Sequence, residues 1–295
     1  MTISTAVSRT EPGTPGPVRA VSVISTGTVQ IRPEHAYGSR KPLYLWLMTS
    51  RTWTPPRPVN VYVIEHASGL ILFDTGQDRA SVTDDHYFPG GFGGLIYSRL
   101  ARFEIGEQDT LRAQLAALGY GPADVSTAIL SHLHQDHIGG LPELTRSEVL
   151  VSDAEWGELS GPGPELRGFL RSHIQLPGLR WNRVSLDQPA EPGLAMFGRS
   201  LDVLGDGSLI LLPTPGHTAG SVSLLVRRSG RPPLLLVGDL SYGAELLARG
   251  TLPGVGGRRG LAASTRKVAA LAQQLPGLVV LPAHDPTAAQ RLLAS

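Results

Sequence analysis

The chain contains no cysteine. That excludes disulfides and thiolate ligands, so any metal has to be held by imidazole and carboxylate groups. It also lacks an excess of either charge. The 26 basic residues stand against 25 acidic ones, so no broad field points to nucleic acid or to a membrane surface. No apolar run approaches the roughly 18 residues of a membrane-spanning helix. The opening residues MTISTAVSRTEPGTPGPVRA have no basic residue ahead of their short apolar stretch and do not read as a secretory signal. A soluble cytoplasmic protein is the expectation, although a cysteine-free chain would also suit export.

What is present is ample core. Hydrophobic residues make up 41% of 295 residues and charged ones 17%, a globular composition long enough for one large domain or two small ones. Glycine (35) and proline (24) together form about a fifth of the chain, above the usual share but below the disordered range, which implies many tight turns. Residues 1–17, rich in Thr, Ser, Pro and Gly, read as a mobile arm, and residues 18–295 as a single domain.

Strand patterns begin at Val18 with VRAVSVISTGTVQI, and continue with PVNVYVIEH and LILFDTG, a hairpin around Ala67-Ser68-Gly69. In QDTLRAQLAAL, Leu111, Leu115 and Leu118 share a helical face, and GYG ends the helix. VSTAILSH is a buried strand, and EVLVSDAEW a strand followed by a short helix. LILLPTPGHT, SVSLLVRR and PLLLVGDLSY give three more strands, residues 261–274 a helix, LVVLPAHD a strand and PTAAQRLL a closing helix. Two sets of strands, each with its own helices, predict an α/β four-layer arrangement: two mixed sheets face to face, helices outside.

The most informative segment is SHLHQDHIGG at 131–140, which crowds His132, His134, Asp136 and His137. In extended chain, residues i and i+2 point the same way, so His132 and His134 can share one ion. A turn after Gln135 would aim Asp136 and His137 at a second, with Gly139-Gly140 letting the backbone turn beneath. Three later residues each follow an apolar strand: His217, Asp239 and His284. His217 would complete the first site and His284 the second, while Asp239 could bridge them. Such nitrogen and oxygen ligands suit two divalent transition-metal ions, with zinc first and iron, cobalt or manganese as alternatives. His35, His66, His86 and His173 lack ligand spacing and are expected to be structural or superficial.

With these motifs the chain resembles the metallo-β-lactamase superfamily of hydrolases from about Val18 onward. The resemblance implies an αβ/βα sandwich with a dinuclear site at one edge of the sheets. His132, His134 and His217 would hold one metal, Asp136, His137 and His284 the other, with Asp239 bridging. Asp74, in FDTG, would orient a metal-bound imidazole. The family's β-lactamases use a cysteine ligand or lack the bridging aspartate, so antibiotic hydrolysis is not expected. Its nucleases bring a basic surface or an added domain, and neither is present here.

Tyr242, three residues after Asp239, and the pair His284-Asp285 are similar to the quorum-quenching N-acyl homoserine lactonases, in which a tyrosine at that place touches the substrate carbonyl. The substrate implied is an acylated lactone. Tyr242 would donate a hydrogen bond to the developing oxyanion, and Asp136 would pass a proton to the departing ring oxygen. A thioesterase, a phosphodiesterase or an organophosphate-cleaving enzyme would use the same metals with a different pocket. Gln135 departs from the aromatic residue common in well-known lactonases. The segments KPLYLWLMTSRTWTPP and DDHYFPGGFGGLIY carry Trp46, Met48, Trp53, Tyr87, Phe88, Phe92 and Tyr97, which would line an acyl pocket or, equally, form core or a homodimer contact.

Overall fold

A computed structural model describes residues 8–9 and 16–295, Phe92 by its backbone alone. Most of the expected 1–17 arm therefore lies outside the described residues. The first sheet contains β1 (Ser8–Arg9), β2 (Val18–Ile31), β3 (Arg57–His66), β4 (Gly69–Phe73), β5 (Ala101–Glu104), β6 (Val125–Ile129), β7 (Glu148–Ser152) and β8 (Arg180–Val184). Its order is β1-β2-β3-β4-β6-β7-β8, with β5 also paired to β2. The second contains β9 (Gln188–Pro189), β10 (Arg199–Asp202), β11 (Leu209–Pro213), β12 (Val222–Val226), β13 (Leu234–Leu236) and β14 (Val279–Leu281), in the order β14-β13-β12-β11-β10-β9. Both sheets are mixed. Strands β4, β6, β7 and β8 run parallel, as do β13 and β14, while the remaining pairs are antiparallel.

Alternation along the strands explains the layers. In β3, Tyr62 and Ile64 face the second sheet, while Val61 and Val63 face outward. The inward set meets Leu211, Leu224, Leu236 and Leu281 in the central core. On the outside, Leu111 and Leu115 of helix Leu111–Ala117 cover the first sheet. Leu261, Val268 and Leu271 of helix Arg258–Gln274 cover the second. Because both faces of each sheet are covered, the strands read as nearly continuous apolar runs, such as LILLP and VSLLV. The four-layer expectation is met.

The predicted hairpin is present, with His66 opposite Gly69, and the helix after Thr110 begins on that residue's side-chain cap. The segment at 41–56 is partly helical (Leu43–Thr49), and the 84–97 segment leads into helix Gly91–Leu100. Neither helix announced itself, because their apolar residues lack clean spacing. Among the described residues, no helix is long and apolar enough to cross a membrane.

Leu224 is fully buried where the two sheets meet. Leu224→Ala is expected to cost about 2–5 kcal/mol, seen as a lower urea midpoint with an unchanged slope.

Candidate metal centre

The chain turns where the sheets end. His132 and His134 follow β6, and His134, in extended backbone, is the N-cap of the short helix Gln135–Ile138, which carries Asp136 and His137 to the other side. His217 follows β11, Asp239 follows β13 and His284 follows β14. Cross-links between the halves bring these ends together: Val222 N–H donates to the Ser131 carbonyl (3.0 Å), and Asn60 N–H to that of Ala283 (2.9 Å).

All seven expected residues converge. Ligand atoms of His132, His134 and His217 lie within 4.8 Å of one another, and so do those of Asp136, His137 and His284. Asp239 spans the two sets. Its Oδ2 is 3.5 Å from His217 Nε2, while its Oδ1 is 3.4 Å from His137 Nε2 and 3.3 Å from His284 Nε2.

The second nitrogen of most imidazoles is held from behind, which leaves the other free to face the site. Asp74 Oδ2 is 2.8 Å from His137 Nδ1, and the same carboxylate accepts from Ser131 N–H (2.7 Å) and Ser131 Oγ (2.9 Å). His284 Nδ1 donates to the Pro58 carbonyl (3.0 Å), and His134 Nε2 to that of Arg167 (3.0 Å). This is the orientation that metal-binding histidines need. Asp74 reaches its partners from a left-handed backbone (φ 62°), the one non-glycine residue so placed among those described. Pro58 and Arg167 contribute only carbonyls, so no side-chain pattern could have pointed to them.

Burial strips water from His137, but Asp74, Asp239 and Asp136 more than reverse that and hold its pKa well above the usual value. The same opposition of burial and carboxylates, led by Asp239, lifts His284 to about 9. His217 is pushed down to about 3, first by burial. Asp239 stays well below the carboxylate range, because His284 and His137 outweigh its desolvation. The acidic half of the basin therefore draws positive charge, and a metal would displace protons there. His132 Nε2, His137 Nε2 and Asp239 Oδ1 are buried without a hydrogen-bond partner. Orphaned nitrogen and oxygen donors around one point are what divalent transition metals satisfy, so the residues fit them.

Beside this cluster opens a cavity of about 630 Å3. Tyr242 stands at its floor, its ring stacked on His284 at 5.5 Å and its hydroxyl donating to Asp239 Oδ2 at 2.7 Å. The two segments divide between the expected roles of pocket wall and core. Leu43, Tyr44, Leu47, Ile96 and Leu100 line the cavity, and of the expected aromatics whose side chains are described only Tyr97 does. Trp46 is buried behind the wall with Ile96, Met48 is exposed, and Arg32 and Arg102 stack on Trp53. Tyr87 bonds Gln77 and packs on Phe88, which stacks on Tyr97. The Phe92 side chain lies outside the described residues.

Two further expectations are corrected. His35, expected to be structural or superficial, is half-buried against the cavity with Nε2 2.8 Å from the Tyr242 hydroxyl. Tyr242 gives its proton to Asp239, so His35 must be the donor through Nε2–H, and burial keeps the ring neutral with a pKa lowered to about 4. Its distance in sequence from every motif hid it. Gly139 and Gly140 serve close packing, not a special turn. Gly139 has ordinary φ (−61°), but a Cβ there would stand 2.1 Å from the Asp78 nitrogen, and one on Gly140 would stand 2.8 Å from the Thr75 oxygen. Of the other three histidines, His66 bonds Ser208, His86 is exposed and His173 packs on Tyr87.

The model of the metallo-β-lactamase superfamily matches residues 54–284. An N-acyl homoserine lactonase, AttM, of Azorhizobium caulinodans is 32% identical over 235 residues, 78% of this chain and 83% of the relative. An N-acyl homoserine lactonase of a Bacillus species is 33% identical over 189 residues, 64% of this chain and 66% of the relative. Among solved structures, an N-acyl homoserine lactone hydrolase with N-hexanoyl-L-homoserine at its catalytic metal centre superposes with a TM-score of 0.72 at 23% identity, covering 92% of this chain and 94% of its own. AidC, a dizinc quorum-quenching lactonase, gives a TM-score of 0.58 at 18% identity, covering 90% and 87%. These structural likenesses speak for the fold. Together with the family match and the curated relatives, they make this chain a member of the metallo-β-lactamase superfamily.

Proposed function

We propose that the protein is a metal-dependent lactonase that opens the ring of N-acyl homoserine lactones. The observation that carries this reading is the junction of a seven-ligand cluster with an apolar cavity whose floor is Tyr242. The curated relatives named as N-acyl homoserine lactonases support the substrate class. His132, His134 and His217 would hold one divalent ion, Asp136, His137 and His284 the other, and Asp239 would join them, with zinc as the metal. When bound, such ions polarise a carbonyl and make water nucleophilic near neutral pH.

The chain's own groups do the rest. The Tyr242 hydroxyl, positioned by His35, turns from Asp239 toward the lactone carbonyl oxygen and donates a hydrogen bond as charge builds there. Asp136, which lines the cavity and lies 3.4 Å from His284 through Oδ2, takes up the proton that the attacking water gives up and passes it to the ring oxygen as that oxygen's bond to the carbonyl carbon breaks. Leu43, Leu47, Ile96 and Leu100 take the acyl chain and keep water away. The cavity volume falls within the roughly 300–1,000 Å3 typical of small-molecule sites.

The central core shared by both sheets supports reading 18–295 as one domain. Tyr44, Leu45, Met48 and Leu95, each about half exposed beside the cavity, support pairing of two copies through this face. A cytoplasmic setting completes the reading and rests on the sequence alone.

Purified protein should contain two metals per chain and open homoserine lactones, with turnover lost on chelation and restored by zinc. Each methylene added to a short acyl chain should improve kcat/KM by up to about fourfold while it is fully buried. Hydrolysis of phosphodiesters or thioesters without any lactone opening would overturn the substrate assignment. Tyr242→Phe should lower kcat on the order of 10²-fold at full metal content. His35→Asn should lower kcat more mildly with little change in KM, and lose that effect in the Tyr242→Phe background. Equal effects of His35→Asn in both backgrounds would remove it as a positioning residue.

A further inference from the structure

One buried carboxyl near the site has no part in the chemistry above. Glu155, on the short helix Asp153–Gly157 after β7, is fully buried. Its Oε1 accepts from the backbone N–H of Leu133 at 2.9 Å, between His132 and His134. Its Oε2 accepts from Thr218 Oγ1 at 2.6 Å and from Gly220 N–H at 3.1 Å, in the loop that begins at His217. One carboxylate thus joins two loops far apart in sequence, whose imidazoles meet with His217 Nε2 2.9 Å from His134 Nδ1.

The approach is built in. Ser152 caps the helix through Glu155 N–H (3.1 Å) while its hydroxyl also donates to the Gly220 carbonyl (2.7 Å). Gly220 leaves room for this contact, since a Cβ there would stand 2.0 Å from the Glu155 nitrogen. Burying an acid this deeply is unfavourable, and desolvation raises its pKa to about 7 against the three hydrogen bonds that lower it. A buried polar side chain of this kind persists where several donors converge on it.

We infer that Glu155 is a positioning residue for metal, clamping the His132–His134 strand end to the His217 loop so that three imidazoles stand ready for one ion. The inference rests on the proposed metal centre but not on the substrate. A neutral amide at this position keeps an acceptor for Leu133 but presents an N–H donor to the Gly220 N–H, so Glu155→Gln breaks the clamp at the His217 side.

The test is titration of metal-free protein with cobalt(II), followed by visible absorption, and with zinc(II) against a chelator. The parent chain should bind two equivalents. Glu155→Gln, with folding checked by circular dichroism, should bind one equivalent like the parent and the other about 10- to 100-fold more weakly, with an altered cobalt spectrum. Thr218→Val, which removes one bond to the carboxylate and keeps its charge, should weaken the same equivalent to a smaller degree, and it decides the matter if Glu155→Gln does not fold. Parent-like affinity and spectrum in a folded Glu155→Gln, or in Thr218→Val where that variant decides, would overturn the clamp and leave the metal centre standing. A parent chain that binds no metal would overturn both.

Discussion

Everything at the site depends on one constraint: five imidazoles and two carboxylates, most of them buried, crowd together at the edge of an otherwise apolar sandwich. Polar groups taken from water have to be hydrogen-bonded or paired. The fold meets most of that demand from outside the cluster. Asp74 and Ser131, the Pro58 carbonyl and the Arg167 carbonyl each take one nitrogen of a histidine and fix which nitrogen turns inward. The inward atoms His132 Nε2, His137 Nε2 and Asp239 Oδ1 are left without a hydrogen-bond partner. A rigid scaffold thus satisfies the back of four of the five imidazoles and leaves the front to a cation.

The scaffold can do this because every ligand leaves a strand that is locked on both faces. Leu236 and Leu281 sit in the central core a few residues before Asp239 and His284, and Ile129 just before His132. Short excursions from fixed strand ends hold a side chain better than long loops would. Arg57 adds to this by donating to the carbonyls of both Tyr242 (2.6 Å) and His284 (3.3 Å), which ties the tyrosine and the last histidine to β3.

The parts of this arrangement that were legible in sequence are those with a strong local signature. HxHxDH needs only six residues to state two ligand pairs, and strand alternation in RPVNVYVIEH announces a face and its opposite. What supports the ligands was mostly hidden. Asp74 came through family resemblance, because FDTG alone would be an ordinary turn. His35, Glu155, Arg57 and the carbonyl of Arg167 act across 20 or more residues of chain, and backbone acceptors leave no trace in residue type. Gly139 and Gly140 were visible as glycines, but the reason for them was misjudged. Local sequence shows a turn, whereas what excludes a Cβ is the backbone of Thr75 through Asp78, some sixty residues earlier.

The cavity wall makes the same point in a different way. Large aromatics draw attention in a sequence, yet size is also what makes them valuable as packing. Trp46, fully buried, packs with Ile96, while Tyr87 meets Phe88 edge-on and Phe88 stacks on Tyr97, so these rings support the wall helices. On the two wall helices, Leu43, Leu47, Ile96 and Leu100 then face the cavity beside Tyr44 and Tyr97, an apolar surface that would suit an alkyl chain. The metal ligands and the wall are thus under separate control. The ligands are fixed by strand ends within the sandwich, while the wall stands on two helices added outside it, so chain-length preference can change by substitution at Leu43, Leu47, Ile96 or Leu100 without disturbing the atoms that face the metals.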